Sequence, residues 1–349
     1  MSVFGRLDEL YAIGGGPGAN RLGGSSEEDE AHELVAGWIG EAGLEVSVDP
    51  AGNLFGRLSG RRPELPEVWT GSHLDSVPQG GRFDGTLGVV GGLEAAARAG
   101  QRERTLCVAA FRDEEGCSGP GCVGSRAFRD SGAARPAAFV ELHVEQGPRL
   151  ERLGAPLAVV TGIAATARGE VVFPGEPGHA GTTPMAGRRD ALVAAAEFVL
   201  TLRDAAAGVE DGVATVGRAA VEPGASNVIP GRVVLSVDVR APDEVGLERI
   251  LSVVPAELRR APAVAIAAGP SVVLLEEIER AGLTAVELVS GAGHDAGVLA
   301  AAGVPAAMLF VRSLNGGISH SPDELTDESD VEHAVEVLSG ALARLASVD

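Results

Sequence analysis

Imidazoles and carboxylates recur in this sequence where strands are predicted to end. His73 and Asp75 follow an apolar run and share one face of a strand, because side chains alternate with a period of two. Asp84 comes 11 residues after His73, behind a glycine-rich loop that can fold back on it. An Asp two residues from a His can hold the imidazole ring in place. The alternative is a capped turn with a surface histidine.

Two adjacent acids, Glu114 and Glu115, follow the apolar strand predicted at residues 105–111. Crowded carboxylates are costly unless they share a cation or one of them is protonated. One of the pair could therefore bind a metal while its neighbour acts as a general base. A solvated acidic turn is the alternative.

Two further histidines complete a set that favours a metal centre. His143 lies on the strand predicted at residues 137–143, on the same face as Glu141, and His320 follows a glycine-rich turn. Ligands of this N/O type suit zinc, manganese, cobalt or nickel. Five ligands with one shared carboxylate predict a site for two metals about 3.5–4 Å apart. The candidate ligands are His73, Asp84, Glu115, His143 and His320.

The elements that must position these residues alternate between strand and helix, which is typical of an α/β layer. Strands predicted at 68–72, 105–111 and 137–143 alternate with helices at 27–41 and 87–99. From about residue 158 the pattern changes to two helices over a few strands. We therefore expect a discontinuous α/β catalytic domain, 1–157 with 271–349, interrupted by an inserted α+β domain at 158–270.

The inserted segment carries polar residues of its own. His179 lies in GHAGTTPM, Asn227 in SNVIPG, and Arg240 follows 13 residues after Asn227. A helix start near Thr183 would be a structural explanation for the first motif. Arg240 could equally pair with a neighbouring acid such as Asp238.

Composition excludes several functions. The 349 residues hold 28 basic residues, all of them arginine, against 49 acidic residues, which gives a net charge of −21. Such a charge disfavours nucleic acid and anionic membranes as partners. No apolar run reaches the roughly 18 residues of a transmembrane helix, and residues 1–10 lack a secretory signal pattern. Three cysteines do not make a disulfide framework. We expect a cytoplasmic protein.

Seven motifs in order resemble the amidohydrolase branch of the dinuclear metallopeptidase/aminoacylase family, which includes N-carbamoyl-L-amino-acid hydrolases, ureidopropionases and allantoate amidohydrolases. The resemblance covers about residues 21–327. The motifs are GSHLDSVPQGGRFDGTLGVVGGLEA, FRDEEG, ELHVEQGPRLE, GHAGTTPMAGRRDALVAAAEF, SNVIPGRVVLSVDVR, GAGHDA and FVRSLNGGISHSPDEL. The resemblance implies a ferredoxin-like inserted lid and hydrolysis of a ureido C–N bond, which releases ammonia and CO₂. Allantoate hydrolysis, or a dipeptidase or aminoacylase activity with the same metals, is the alternative.

The resemblance also implies roles for single residues. His73, Asp84 and His143 would hold one metal, and Asp84 would bridge to a second metal completed by Glu115 and His320. Glu114 would be the general base, and Asp75 would orient His73. The cofactors would be two divalent ions per subunit, Zn²⁺ or Mn²⁺, with Co²⁺ or Ni²⁺ as further options. The residues implied to bind substrate are Gln146, His179, Asn227 and Arg240.

The lid of relatives forms a homodimer in which His179, Asn227 and Arg240 reach the neighbouring active site, and we expect the same here. Two departures from the family bear on specificity. The chain is shorter than is usual, and the loop from Cys117 to Cys122 replaces a bulkier pair beside the metal site. Both cysteines are interpreted as reduced structural thiols rather than as a soft metal pair. Arg312 favours the carbamoylases among the possible activities.

Overall fold

The computed structural model describes residues 1–117, 119–266 and 268–347. Ser118, which belongs to the loop from Cys117 to Cys122, and residues 348–349, at the end of the predicted catalytic domain, lie outside the described residues. Contacts divide the chain into one unit of Met1–Gly162 with Ala265–Asp349 and a second unit of Ile163–Val264. By this division the second unit comprises residues 163–264.

Thirteen strands and ten helices are assigned within the described residues. The strands are β1 (Glu45–Val48), β2 (Leu54–Leu58), β3 (Val68–His73), β4 (Leu106–Phe111), β5 (Ala138–Val144), β6 (Leu157–Ile163), β7 (Ala165–Pro174), β8 (Val213–Glu222), β9 (Arg232–Ala241), β10 (Arg259–Ala261), β11 (Val264–Ala265), β12 (Glu287–Ser290) and β13 (Ala306–Val311). The helices are α1 (Val3–Ala12), α2 (Ser26–Glu41), α3 (Thr86–Ala99), α4 (Val123–Asp130), α5 (Arg149–Leu153), α6 (Ala191–Ala207), α7 (Glu244–Leu251), α8 (Ala268–Arg280), α9 (Asp295–Ala301) and α10 (Glu328–Leu345).

A nine-stranded mixed sheet forms the centre of the first unit. Its order is β1-β2-β4-β3-β5-β13-β6-β11, and β12 pairs with β6. The four strands β4, β3, β5 and β13 run parallel and are buried along their whole length. Continuous burial of this kind is typical of parallel strands covered by helices on both faces. The α/β class predicted from the sequence is confirmed.

The parallel strands matter because their carboxyl ends meet at one edge of the sheet. His73 is the last residue of β3, His143 lies one residue before the end of β5, and Glu114 follows the end of β4 by three residues. Ligands in open α/β sheets bind at this edge, outside the carboxyl ends of the strands. The strand order therefore brings together segments that are far apart in the chain.

Two glycines allow neighbouring segments to pack closely at this edge of the sheet. Gly71 has φ +139°, and a Cβ there would lie 1.8 Å from the Ala109 carbonyl oxygen of the neighbouring strand. Gly85 has φ +65°, and a Cβ there would lie 2.4 Å from the ring of His73. Both positions therefore require a residue without a side chain.

The second unit is a small α+β structure. Its antiparallel sheet has the order β10-β7-β9-β8, and α6 and α7 pack against it. Asp190 and Asp243 cap these two helices by accepting backbone N–H groups in the first turn. Alternate residues of β9 are buried in the core beside Phe198 and Leu247, as a sheet with one covered face requires.

One finding bears on membranes. Within the described residues, every helix is too short or too polar to cross a bilayer.

Candidate metal centre and active site

Asp84 lies at the centre of the candidate site. Its carboxylate oxygen Oδ1 is 3.3 Å from Nε2 of His143 and 3.7 Å from Nε2 of His73. The other oxygen, Oδ2, is 3.2 Å from Nε2 of His320. Although burial opposes ionisation, the hydrogen bonds with His143 and His320 hold the pKa of Asp84 well below its usual range. Asp84 is therefore a buried anion that faces a histidine on each side.

The residues around Asp84 form two groups with metal-ligand chemistry. His73, Asp84 and His143 place one ligand atom each within 4.8 Å of one another, and so do Asp84, Glu115 and His320. Nε2 of His320 is 3.2 Å from a carboxylate oxygen of Glu115 as well as from Asp84. A carboxylate with one oxygen in each of two groups is the donor arrangement of a two-metal site. The side chains present therefore fit two N/O-ligated cations.

The electrostatics agree with a site for cations. Hydrogen bonds that His320 donates to the carboxylates of Asp84 and Glu115 raise the pKa of His320 to about 10. Burial lowers the pKa of His143, but Asp84 outweighs this and raises it to about 9. Histidine nitrogens that face carboxylates bind a proton or a metal ion in the same position, and metal binding releases the proton.

Asp75 makes two sets of contacts, and only the contact with His73 was predicted from the sequence. Its carboxylate is 3.3 Å from Nδ1 of His73, which also contacts the Asp75 carbonyl at 3.1 Å. The same carboxylate accepts the backbone N–H groups of Glu114 (3.0 Å) and Glu115 (3.1 Å). Asp75 therefore fixes both the His73 ring and the loop that carries the two acids.

Glu114 and Glu115 differ in surroundings although they are neighbours. Glu115 belongs to a ligand group, whereas Glu114 belongs to neither of the two groups around Asp84. One Glu114 oxygen is 3.9 Å from His73, and the other accepts a hydrogen bond from the Cys122 thiol at 3.2 Å. Burial raises the pKa of Glu114 well above its ordinary value. This is the environment of a carboxyl group that exchanges protons.

The remaining predicted residue of the first unit is Gln146. Its side-chain amide donates to Asp84 Oδ2 at 2.9 Å and lies 3.4 Å from Nε2 of His320. The side chain thus lies at the edge of the ligand cluster.

The cysteines are free thiols in the structure. Among the described residues, neither Cys117 nor Cys122 belongs to a group that could hold a metal. Arg312, which the sequence associated with substrate preference, pairs through its guanidinium with Asp330 at 2.7 Å and 2.8 Å. Its side chain therefore ties the end of β13 to α10.

In the second unit, the structure brings His179 and Asn227 together. The Asn227 carbonyl accepts the Ala180 N–H at 3.0 Å, and His179 forms an isolated bridge with Val228. Nδ1 of His179 accepts the N–H groups of Gly181 (3.0 Å) and Thr182 (3.2 Å). The lone pair of Nδ1 is thus occupied, so the neutral ring carries its proton on Nε2.

Arg240 is not brought to this pair. His179 follows the end of β7 at Pro174, and Asn227 precedes the start of β9 at Arg232, the residue that pairs with Pro174. Arg240 lies near the other end of β9, opposite Thr166. With a rise of about 3.3 Å per residue, Arg240 lies roughly 26 Å along β9 from Arg232. Its guanidinium pairs with Asp238 at 3.0 Å and 3.1 Å, the alternative that the sequence left open.

Three buried residues near the centre, Glu141, His294 and Glu324, had no role predicted from the sequence, although Glu141 was placed on the same strand face as His143. Glu141 accepts hydrogen bonds from Ser72 Oγ and from the Ala296 N–H, both at 2.7 Å. The ring of His294 lies 4.6 Å from that of His143, and these two histidines form a third group with Glu141. Glu324 accepts the N–H groups of Phe83 and Asp84. The GAGHDA and SHSPDEL motifs were the signals, but neither spacing shows what these residues contact.

Known proteins resemble this chain over most of its length. Residues 69–344 match the model of peptidase family M20/M25/M40. The chain is 36% identical to an N-carbamoyl-L-amino acid amidohydrolase of Geobacillus stearothermophilus, covering 99% of this chain and 98% of that protein. It is 33% identical to an allantoate amidohydrolase of Bacillus subtilis, covering 96% and 95%. A hydantoinase/carbamoylase-family amidase of Burkholderia multivorans superposes with a TM-score of 0.89 at 33% identity, covering 99% and 97% of the two chains.

Proposed function

Because the chain belongs to peptidase family M20/M25/M40, a family of dinuclear metal-dependent enzymes, we propose that it hydrolyses the ureido C–N bond of an N-carbamoyl amino acid. The chain is a hydrolase of carbon–nitrogen bonds. The observation that carries the proposal is Asp84, which offers one oxygen to each of two His/acid groups. Allantoate is a second candidate substrate, because the Bacillus subtilis relative is named for it.

We propose that His73, Asp84 and His143 hold one ion and that Asp84, Glu115 and His320 hold the other. Zn²⁺ or Mn²⁺ suits these ligands, and Co²⁺ or Ni²⁺ would also be accepted. When bound, the two ions supply Lewis-acid chemistry, which acidifies water and polarises a carbonyl oxygen. Asp75 keeps the His73 ring oriented towards its ligand position.

The chain's own residues then account for the proton transfers. Glu114 accepts a proton from the attacking water and passes it to the leaving nitrogen. Water adds to the carbamoyl carbon, the bond to the amino-acid nitrogen breaks, and the carbamate product decomposes to CO₂ and ammonia. The Nε2–H of His179 is free of the two amide contacts at Nδ1 and donates to the developing oxyanion. Gln146 and Asn227 orient the ureido group.

Arg240 would bind the substrate carboxylate through its planar fork. The family resemblance implies that His179, Asn227 and Arg240 all reach the neighbouring active site. Because Arg240 lies at the far end of β9 from His179, we propose instead a homodimer in which one chain supplies His179 and Asn227 to a site and the other supplies Arg240. Exposed apolar side chains on the second unit support such an interface. They are Leu192, Val193 and Leu200 on α6 and Val213 on β8.

The test is ammonia release by the purified protein with added Mn²⁺ or Zn²⁺. The substrates are N-carbamoyl-L-amino acids, 3-ureidopropionate and allantoate, each with and without a chelator. We expect chelator-sensitive ammonia from the carbamoyl amino acids. Ammonia from allantoate alone would select the second candidate. A protein that holds two metals yet releases no ammonia, while it cleaves N-acyl amino acids or dipeptides, would overturn the proposal.

A further inference from the structure

Glu324 is a buried carboxylate that joins two segments of the candidate metal centre. Its side chain is 5% exposed and lies in the loop after β13, four residues beyond His320. One oxygen accepts the backbone N–H groups of Phe83 (2.7 Å) and Asp84 (3.0 Å). The other accepts a hydrogen bond from the Ser319 hydroxyl at 2.7 Å. The carboxylate therefore contacts the residue before His320 and the backbone of Asp84.

The surrounding chain is built to admit this carboxylate. A Cβ at Gly81 would lie 2.2 Å from the Glu324 carboxyl carbon, so only glycine leaves room for it there. The Glu324 N–H itself donates to the Ser321 carbonyl at 3.1 Å, which closes a turn over residues 321–324, directly after His320. Burying a carboxylate is costly unless its oxygens are hydrogen-bonded, and these three donors supply that compensation.

The two ligand groups depend on this contact to different degrees. His73 and His143 lie on β3 and β5, which pair directly in the sheet. His320 has no such support, because it lies in a loop, has φ +53° and has a side chain that is 47% exposed. The orientation of its ring towards Asp84 and Glu115 therefore depends on contacts made by the loop itself.

We propose that Glu324 is a positioning residue of the metal centre, which holds the Asp84 and His320 segments in register so that the Asp84–Glu115–His320 group can bind its ion. This inference rests on the metal centre proposed above. Groups that orient metal ligands typically contribute 10–100-fold to metal affinity. Loss of Glu324 should therefore weaken one of the two ions and spare the other.

The experiment titrates Zn²⁺ into the metal-free protein in the presence of a competing chelator and counts the ions bound per chain. We expect the wild type to bind two ions, and Glu324→Ala to bind one with unchanged affinity and the other about 10–100-fold more weakly. Glu324→Gln should restore most of the loss. Its carbonyl oxygen can accept both backbone N–H groups, and its amide can donate to Ser319 Oγ.

Asp49→Ala is the matched control. The Asp49 carboxylate also accepts three hydrogen bonds, from two backbone N–H groups and the Asn53 amide, but in a turn outside the ligand groups. We expect both Zn²⁺ affinities to be unchanged in this variant. If Glu324→Ala does not fold, as judged by circular dichroism, Ser319→Ala decides, because it removes only the bond to the second oxygen and should weaken the same single ion.

Wild-type affinity for both ions in the folded variant would overturn the inference, as would equal weakening of both. The result of the Zn²⁺ titration does not depend on whether the proposed reaction is correct. A wild-type protein that binds two Zn²⁺ ions but releases no ammonia would contradict the proposed substrate and leave the Glu324 titration interpretable.

Discussion

Glu114 and Glu115 show how environment divides two neighbouring residues of the same type. Glu115 faces His320 at 3.2 Å, as a ligand would. Glu114 lies beside His73 and the Cys122 thiol, and burial raises its pKa. Two carboxyl groups whose environments differ in this way are suited to different tasks in one reaction. The assignment of Glu114 as the base can therefore be tested separately from metal binding.

We expect Glu114→Gln to keep both metal ions and to lose about 10²–10⁴-fold in kcat, because an amide cannot accept the proton of water. Metal content per chain and ammonia release check the two halves of this statement. Glu115→Gln is the comparison variant and should lose metal as well as activity. A Glu114→Gln protein that binds both metals and keeps full turnover would contradict the assignment of Glu114 as the general base.

At the scale of elements, the Arg188 side chain contributes to holding the loop at residues 178–183. The Arg188 guanidinium donates to the carbonyls of Ala180 and Thr183, with distances of 2.6–3.1 Å. These carbonyls flank the two N–H groups that fix the His179 ring. Arg188 thus orients the imidazole although it does not contact the ring.

We expect Arg188→Ala to speed amide hydrogen exchange of residues 179–183 by about tenfold or more, because local opening becomes easier. Hydrogen exchange followed by mass spectrometry measures this directly. Arg189→Ala is the matched control, since Arg189 pairs with Glu176 on the exposed surface and should leave the loop unchanged. Equal exchange in the two variants would contradict the role given to Arg188.

At the scale of the whole molecule, buried His32 on α2 makes the first unit sensitive to acid. Among the described residues, neither ring nitrogen has a hydrogen-bond partner. Burial, and secondarily the nearby charge of Arg112, lower its pKa from 6.5 to about 3. The unfolded chain therefore binds more protons than the folded chain between these values, and stability falls as pH falls through this range.

We expect the wild type to lose about 2 kcal/mol more unfolding free energy than His32→Met between pH 7 and pH 5. Urea unfolding followed by tryptophan fluorescence measures this, because both tryptophans, Trp38 and Trp69, lie in the first unit. Acid-sensitive groups away from His32 are common to both proteins and cancel in the comparison. Glu28, whose carboxylate oxygen lies 3.9 Å from Nε2 of His32, is a neighbour whose surroundings the substitution changes. If the unfolding free energies of the wild type and His32→Met changed equally with pH, His32 would not be a buried histidine that stays neutral in the folded protein.

The proposed dimer predicts complementation between two inactive variants. His179→Ala and Arg240→Ala should each be inactive as homodimers, but their heterodimer contains one site with both residues intact. Co-expression with random pairing should therefore restore about a quarter of wild-type activity. Unmixed variants are the controls. No recovery from a verified heterodimer would show that both residues serve the same site from one chain.

The fold class, the family and several candidate ligands of this protein could be predicted from its sequence alone. The α/β class and the family were predictable and are confirmed, because strand periodicity and ordered motifs are local signals. The candidate ligands His73, Glu115 and His143 could be proposed because the carboxyl ends of parallel strands share one edge of a sheet. Residue type then limits the chemistry, since imidazole and carboxylate together favour divalent metals.

Only the tertiary structure decided how these residues are held. Glu324 bonds to the backbone of Asp84 across 240 positions of sequence, and no local pattern carries that information. The separation of Arg240 from His179 likewise depends on the pairing of β7 with β9, which the 13-residue spacing between Asn227 and Arg240 does not reveal. Contacts between distant segments form only when the sheet is assembled, so positioning residues emerge from the fold whereas ligand types can be read from the chain.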